Sequence, residues 1–266
     1  MDARSFIKSV GTEVASDFAK NRTILSFEEY LQLFLQKPKA QARNAAQYLK
    51  DAIDSFGTEQ VSHPSGKVRR FKIFDALPGQ RDGKVAGQEE VQNAIYRLLG
   101  NFTRSGRINK LILLHGPNGS AKSSLVDALK RGMEHYSQSP DGALYTFNWV
   151  FPTEKLVKGA IGFGGEKGGD QGGLASYAHL EPEFIDVRIT SPLREHPLFL
   201  VPRSERKALL ESALKAKGEE FVFSQYLLEG ELSHKSKRIF DALLAAHDGD
   251  WLKVLRHVQV ERFYVS

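Results

Sequence analysis

The sequence predicts an α/β protein with a three-layer core, helices on both faces of a sheet, preceded by a small helical domain. Three observations predict it. An apolar run, Leu111-Ile112-Leu113-Leu114-His115, breaks into Gly116-Pro117-Asn118-Gly119-Ser120-Ala121 and resumes as Lys122-Ser123-Ser124 at the head of a helical pattern. Leu144 to Phe151 then alternates as a strand does, which completes a strand, loop, helix, strand succession. Residues 1–60 carry their apolar side chains at helical spacing instead.

Taken in order, Ser26-Phe27-Glu28-Glu29 predicts a capping box. Ser26 accepts from the Glu29 backbone while the Glu29 carboxylate reaches back. Tyr30, Leu31, Leu33, Phe34 and Leu35 give that helix its apolar side, and Pro38 ends it. A second helix runs through Ala42, Ala45, Ala46, Tyr48, Leu49, Ile53 and Phe56, and Gly57 with His63-Pro64-Ser65-Gly66 connects it onward. The expected division is a helical domain over 1–60 and a nucleotide-binding domain over 61–266. Val68 to Leu77 reads as extended, and a helix follows Val85-Ala86-Gly87 with Val91, Ile95, Leu98 and Leu99 on one side. Beyond Phe151, Ser204 and Ser233 are expected caps of two helices, and Val258 to Val265 is a strand.

Composition narrows the function classes. The 266 residues are 41% hydrophobic, ample for a core, and include no cysteine, which excludes disulfides and thiolate metal sites. No run of about 18 apolar residues is present, so no membrane helix is expected. The opening residues lack the basic-then-apolar build of a secretion leader, and a cytoplasmic location is expected. The formal charge of +5 arises from 37 lysines and arginines against 32 acids, spread along the chain. Its densest groups are Lys67, Arg69, Arg70 and Lys72, then Lys235, Lys237 and Arg238. Only Phe71 is interleaved as an aromatic, so they read as solvated faces and no clear nucleic-acid site emerges.

The loop carries the chemistry. Gly116 to Ser123 has the G-x-x-x-x-G-K-[ST] spacing of a P-loop, with Ala121 where the last glycine usually stands. Small residues let backbone N–H groups converge on phosphate oxygens, and the following helix adds its positive end. Gly116, Pro117, Asn118, Gly119, Ser120, Ala121, Lys122, Ser123 and Ser124 are therefore the expected ATP-binding residues. Lys122 is placed on the β and γ phosphates as the catalytic cation, and the Ser123 hydroxyl on Mg²⁺. A Cβ at residue 121 is harmless with helical dihedrals and harmful at positive φ, so weaker binding is the most it predicts.

The rest of a hydrolytic site is not legible. Four apolar residues followed by Asp-Glu do not occur. The nearest approach, Glu183-Phe184-Ile185-Asp186, reads as an exposed strand carboxylate, and Ile239-Phe240-Asp241 lies in a helical pattern. H-x-x-x-H pairs, a G-x-S-x-G elbow and the H-R-D and D-F-G kinase signatures are absent. The glycines at 162, 164, 165, 168, 169, 172 and 173 predict a mobile surface loop outside the nucleotide site.

With these residues in hand, the chain resembles the AAA-type domain of the bacterial serine protein kinase PrkA family. The resemblance rests on Ser26-Phe27-Glu28-Glu29-Tyr30-Leu31, Val85-Ala86-Gly87, the loop from Gly116 to Ser124, and Met133-Glu134-His135-Tyr136. It continues in His196-Pro197-Leu198-Phe199-Leu200-Val201-Pro202 and Val258 to Ser266. It implies an AAA-like P-loop NTPase core that binds Mg-ATP and places Val85, Ala86 and Gly87 against the adenine. It also implies that the core is incomplete, the Mg²⁺-binding acid and a kinase-like region lying past the counterpart of Ser266. On that reading ATP and a protein substrate are the partners, a homo-oligomer is compatible, and this chain by itself turns ATP over poorly. A nucleic-acid-associated AAA ATPase and a non-hydrolysing, nucleotide-sensing assembly module are the alternatives.

Overall fold

The computed structural model describes residues 4, 6–8, 10–12, 24–63, 66–75, 84–153, 176–217 and 221–266. In chain order the elements are β1 (Ile24–Ser26), α1 (Phe27–Gln36), α2 (Pro38–Gln41), α3 (Ala45–Phe56), β2 (Thr58–His63) and β3 (Gly66–Phe71). After them come α4 (Glu89–Ser105), α5 (Lys122–Gln138), β4 (Leu144–Pro152), β5 (Ile185–Thr190) and α6 (Arg203–Lys217). The remainder is α7 (Gln225–Glu229), α8 (His234–Ala246), α9 (Trp251–Leu255) and β6 (Val258–Phe263). The chain is thus mixed α/β. No helix among the described residues is long and apolar enough to cross a membrane.

Contacts divide the chain into two compact units, neither continuous in sequence. One comprises 1–33, 145–197 and 232–263, the other 34–144, 198–231 and 264–266. The boundary expected near residue 60 does not appear. The physical reason lies in α3, whose apolar face packs on elements beyond residue 60. Ile53 and Ala46 are buried in one cluster with Ile95 and Leu99 of α4 and Leu125 of α5. Each large apolar side chain so buried contributes roughly 1.5 to 3 kcal/mol, so α3 stays with α4 and α5.

The first unit is built on a four-stranded sheet in the order β1-β6-β4-β5, with β1–β6 and β4–β5 paired antiparallel. The expected capping box sets α1 on its way: Ser26 N–H donates to Glu29 Oε2 at 2.7 Å and Glu29 N–H to Ser26 Oγ at 3.2 Å. Phe147, Trp149 and Val150 of β4 and Val258 and Val260 of β6 are buried with Tyr30 of α1. Phe147 and Trp149 meet edge to face at 5.5 Å.

The second unit is helical around a hairpin. A capping box that the sequence reading did not single out starts α3, Gln47 N–H donating to Asn44 Oδ1 at 2.9 Å and Asn44 N–H to Gln47 Oε1 at 2.8 Å. Gly57 ends it at φ 75°, and the chain enters β2, which pairs with β3 from Thr58↔Phe71 to His63↔Gly66. The extended stretch expected to Leu77 gives way at Lys72 to a turn of 3₁₀-helix over Lys72–Phe74 that buries Ile73 and Phe74. Gly132 lets α5 approach that turn, because a Cβ there would collide with the Ile73 side chain. Ser204 lies inside α6, one residue past its start at Arg203, and does not cap it.

The segment expected to be the first strand of a three-layer core differs most. Among the described residues, 111–115 joins no sheet. Ile112 and Leu114 pack onto the core cluster, whereas Leu111 and Leu113 are 88% and 78% exposed. The period of two is that of a strand with one face buried. A strand is completed by hydrogen bonds to a neighbour, and the described strands find theirs elsewhere.

Candidate functional site

After Leu114 the backbone leaves the core and turns through Pro117 to Ala121 into α5. Gly119 stands at φ 80° and Ala121 at φ 59°, ψ 17°, both left-handed. Gly119 takes that conformation without strain. Ala121 does not, since its Cβ crowds the following carbonyl at a cost of roughly 1 to 2 kcal/mol. The harmful case named by the sequence reading is therefore the one found, and the loop is held by its own hydrogen bonds. Ser120 donates to the Pro117 carbonyl through Oγ at 2.8 Å and through its backbone N–H at 3.4 Å.

Lys122 folds back over the loop it terminates. Its Nζ donates to the carbonyls of Gly116 at 2.8 Å and Pro117 at 2.6 Å and to Ser120 Oγ at 3.1 Å. The first intrahelical bond of α5 runs from Leu125 N–H to Ala121 O at 2.9 Å, so the amides of Lys122, Ser123 and Ser124 precede the hydrogen-bonded ladder. Ala121 supplies no capping side chain, and the first turn holds no acid. A lysine at the positive end of a helix dipole is unfavourable in isolation by about 0.3 to 1 kcal/mol. Cation, amides and dipole together fit an anion with several oxygens, such as a phosphate chain.

Burial sets this constellation firmly. Leu125 and Ala128, on the inward side of α5, are each about 2% exposed, and Ala121 and Leu129 pack against the same cluster. Ser123 and Ser124 face outward, accessible to a ligand or ion. Ser123, the residue expected at Mg²⁺, is exposed at the second position of α5. Among the described residues no group of three or more His, Cys, Asp or Glu is arranged to hold a metal ion.

Of the three candidate adenine residues, the structure brings Val85 into the cluster that contains Leu125 and Ala128. Val85 N–H donates to the Phe74 carbonyl at 2.8 Å; Ala86 and Gly87 are exposed, Gly87 at φ 74°. The residue that fixes this segment was missed. Arg70, taken from its neighbours as part of a solvated face, is only 7% exposed. Its Nη2 donates to Asp75 Oδ1 at 2.5 Å and to the Val85 carbonyl at 3.4 Å. An acid five residues on, with β-strand alternation around Val68, was the available signal.

Asp186 is an exposed position of β5, as expected of a strand carboxylate, and Asp241 lies within α8. His115 is exposed at the loop entrance. The glycine segment over 162–173 lies outside the described residues. No protein family, no curated protein and no solved structure matches the chain.

Proposed function

We propose that the loop from Gly116 to Ser124 binds the phosphates of Mg-ATP. The observation that carries the reading is the convergence of Lys122 on an uncapped helix N-terminus whose first turn is free of acids. Lys122 would exchange its bonds to the Gly116 and Pro117 carbonyls for phosphate oxygens, and the amides of residues 122–124 would find the acceptors that the helix does not provide. Ser123 would give its hydroxyl to the Mg²⁺, which neutralises phosphate charge when bound. Val85, Ala86 and Gly87 would lie beside the base.

The finer reading belongs to the same proposal. It is a P-loop NTPase core of AAA type, acting within a PrkA-like serine protein kinase or ATPase, and it rests on the residues of the resemblance, since the antiparallel pairs of the four-stranded sheet are atypical of such a core. No run of four apolar residues followed by Asp-Glu occurs to hold the metal and activate water, so turnover by this chain is expected to be far below 1 per second. Calorimetric titration with Mg-ATP tests binding, and phosphate release measured alongside tests turnover. One saturable site, with weaker binding of AMP than of ATP, is the expected result. Absence of ATP binding would end the reading.

A further inference from the structure

Away from the loop, three elements of the second unit bring basic side chains together. Lys50 of α3, Arg69 of β3 and Arg97 and Arg104 of α4 line an open groove of about 350 Å³ with Asn93, Tyr96 and Gly100. A second groove of about 350 Å³ adjoins it, sharing Lys50 and Arg104 and adding Lys39 and Arg43. The first has no acid in its lining; the second has Asp51, whose carboxylate is taken by Arg43 at 3.0 Å. Asp54, beside Lys50, is likewise occupied, accepting from Lys50 Nζ at 2.6 Å and from the Tyr96 hydroxyl at 2.7 Å. Partial burial lowers the Lys50 pKa, but the bonds to Asp54 and Tyr96 raise it more, so the ammonium stays charged.

Lys39, Arg69, Arg97 and Arg104 are exposed, so the two grooves together present a row of accessible cations. Three of these are arginines, whose planar fork matches phosphate oxygens. The aromatic at the centre is already covered. Tyr96 packs on Phe71 at 4.7 Å, with the Arg69 guanidinium 4.9 Å and the Lys50 ammonium 4.8 Å from its ring centroid. It offers no open face on which an unpaired base could stack, which single-strand binders require.

We propose that these two grooves bind the phosphodiester backbone of a double-stranded nucleic acid, independently of its sequence. Extended charge in two connected grooves fits a repeating polyanion better than one phosphate group. Phe221, the other aromatic of the grooves, packs edge to face on Phe223 at 5.5 Å, so backbone contact is the favoured mode of recognition. The site is separate from the loop of Gly116 to Ser124 and does not depend on nucleotide binding there.

Fluorescence anisotropy with a labelled, random-sequence duplex of about 20 base pairs, in the absence of ATP, provides the test. Four to five phosphate contacts predict that log K falls against log salt with a slope of about −3 to −5. Arg97→Glu/Arg104→Glu should weaken binding at least about tenfold. Lys235→Glu/Lys237→Glu, a change of equal charge on α8, should cost less than about threefold. Should the first double variant lose its far-UV circular dichroism, Arg97→Gln/Arg104→Gln replaces it, with the same direction expected. Lys122→Ala should bind the duplex as the unaltered chain does. Equal losses in the two charge reversals, tighter binding of the single strand than the duplex, displacement by a multiply phosphorylated peptide at equal phosphate concentration, or no binding at low salt would each overturn the proposal.

Discussion

Two helix N-termini in this molecule solve the same electrostatic problem in opposite ways. At α8, Ser233 caps the helix, its Oγ accepting from Ser236 N–H at 3.4 Å, and a buried carboxylate completes the turn. Glu195, 3% exposed, accepts from Ser191 Oγ at 2.6 Å, Ser233 Oγ at 3.1 Å, Ser236 Oγ at 2.5 Å and the backbone N–H of Ser233. The positive end of that helix is saturated from within the chain. At α5 the reverse holds: a lysine replaces the acid, an alanine in a left-handed conformation replaces the cap, and the serines face outward. A helix terminus supplied with its own anion is a structural joint. One supplied with a cation and left without a side-chain cap is the arrangement on which the phosphate-binding proposal rests.

The largest expected effect tests the open end. Lys122→Ala should weaken Mg-ATP by about 2 to 4 kcal/mol in calorimetry, because a charge-assisted contact to phosphate is lost. Unchanged affinity would remove the contrast with α8. At the closed end, Glu195→Ala leaves three hydroxyls and an amide without their acceptor. It should lower unfolding stability by about 2 to 3 kcal/mol in urea titration. A loss under about 0.5 kcal/mol would mean that the serines re-pair among themselves or with water and that the carboxylate is dispensable.

A smaller effect addresses the strained residue between loop and helix. Ala121→Gly relieves the left-handed Cβ and should stabilise the fold by about 1 kcal/mol at most, since the unfolded chain gains freedom as well. Tightened Mg-ATP binding in the same variant would show that the strain reaches the phosphate cradle. Destabilisation in thermal melts would show that the Ala121 methyl earns more by its packing on the core cluster than its dihedrals cost.

The smallest effect belongs to the first unit and involves a titrating group rather than a fixed charge. Burial lowers the pKa of His257, and the nearby His247 and Arg256 lower it further, against the bond its Nδ1–H gives the Val150 carbonyl at 3.0 Å. The folded value lies below the ordinary 6.5, so the unfolded chain takes the proton more readily. Stability from this group is then complete above the ordinary 6.5 and declines as pH falls from there through the lower folded value. His257→Asn, which keeps a donor for Val150, should flatten that slope in melts collected across the range.

Legibility in the sequence followed the range of the interaction. The capping box at Ser26, the cap at Ser233 and the start of α5 at Lys122 involve residues within three or four positions of each other, and each stands where its pattern placed it. The β2–β3 hairpin was missed because Thr58 to His63 is polar, and pairing across a turn leaves little trace in composition. The strand expected at 111–115 kept its alternation but found no ladder among the described residues, since alternation reports a buried face and says nothing of hydrogen-bond partners.

The conformation-bearing run from Gly116 to Ser124 and the helix start at Lys122 were legible from sequence alone, because the run is contiguous and its spacing is local. Three matters were decided only in three dimensions. Arg70 became a buried anchor of Val85 while the adjacent Arg69 turned outward to Tyr96. Lys50, Arg69, Arg97 and Arg104 came together from three elements. Glu195 reached Ser233 and Ser236 across about forty residues of chain. Charges close in sequence part when strand alternation sends them to opposite faces, and charges distant in sequence meet when helices cross. Which of these happens depends on packing, and packing is set by the whole core.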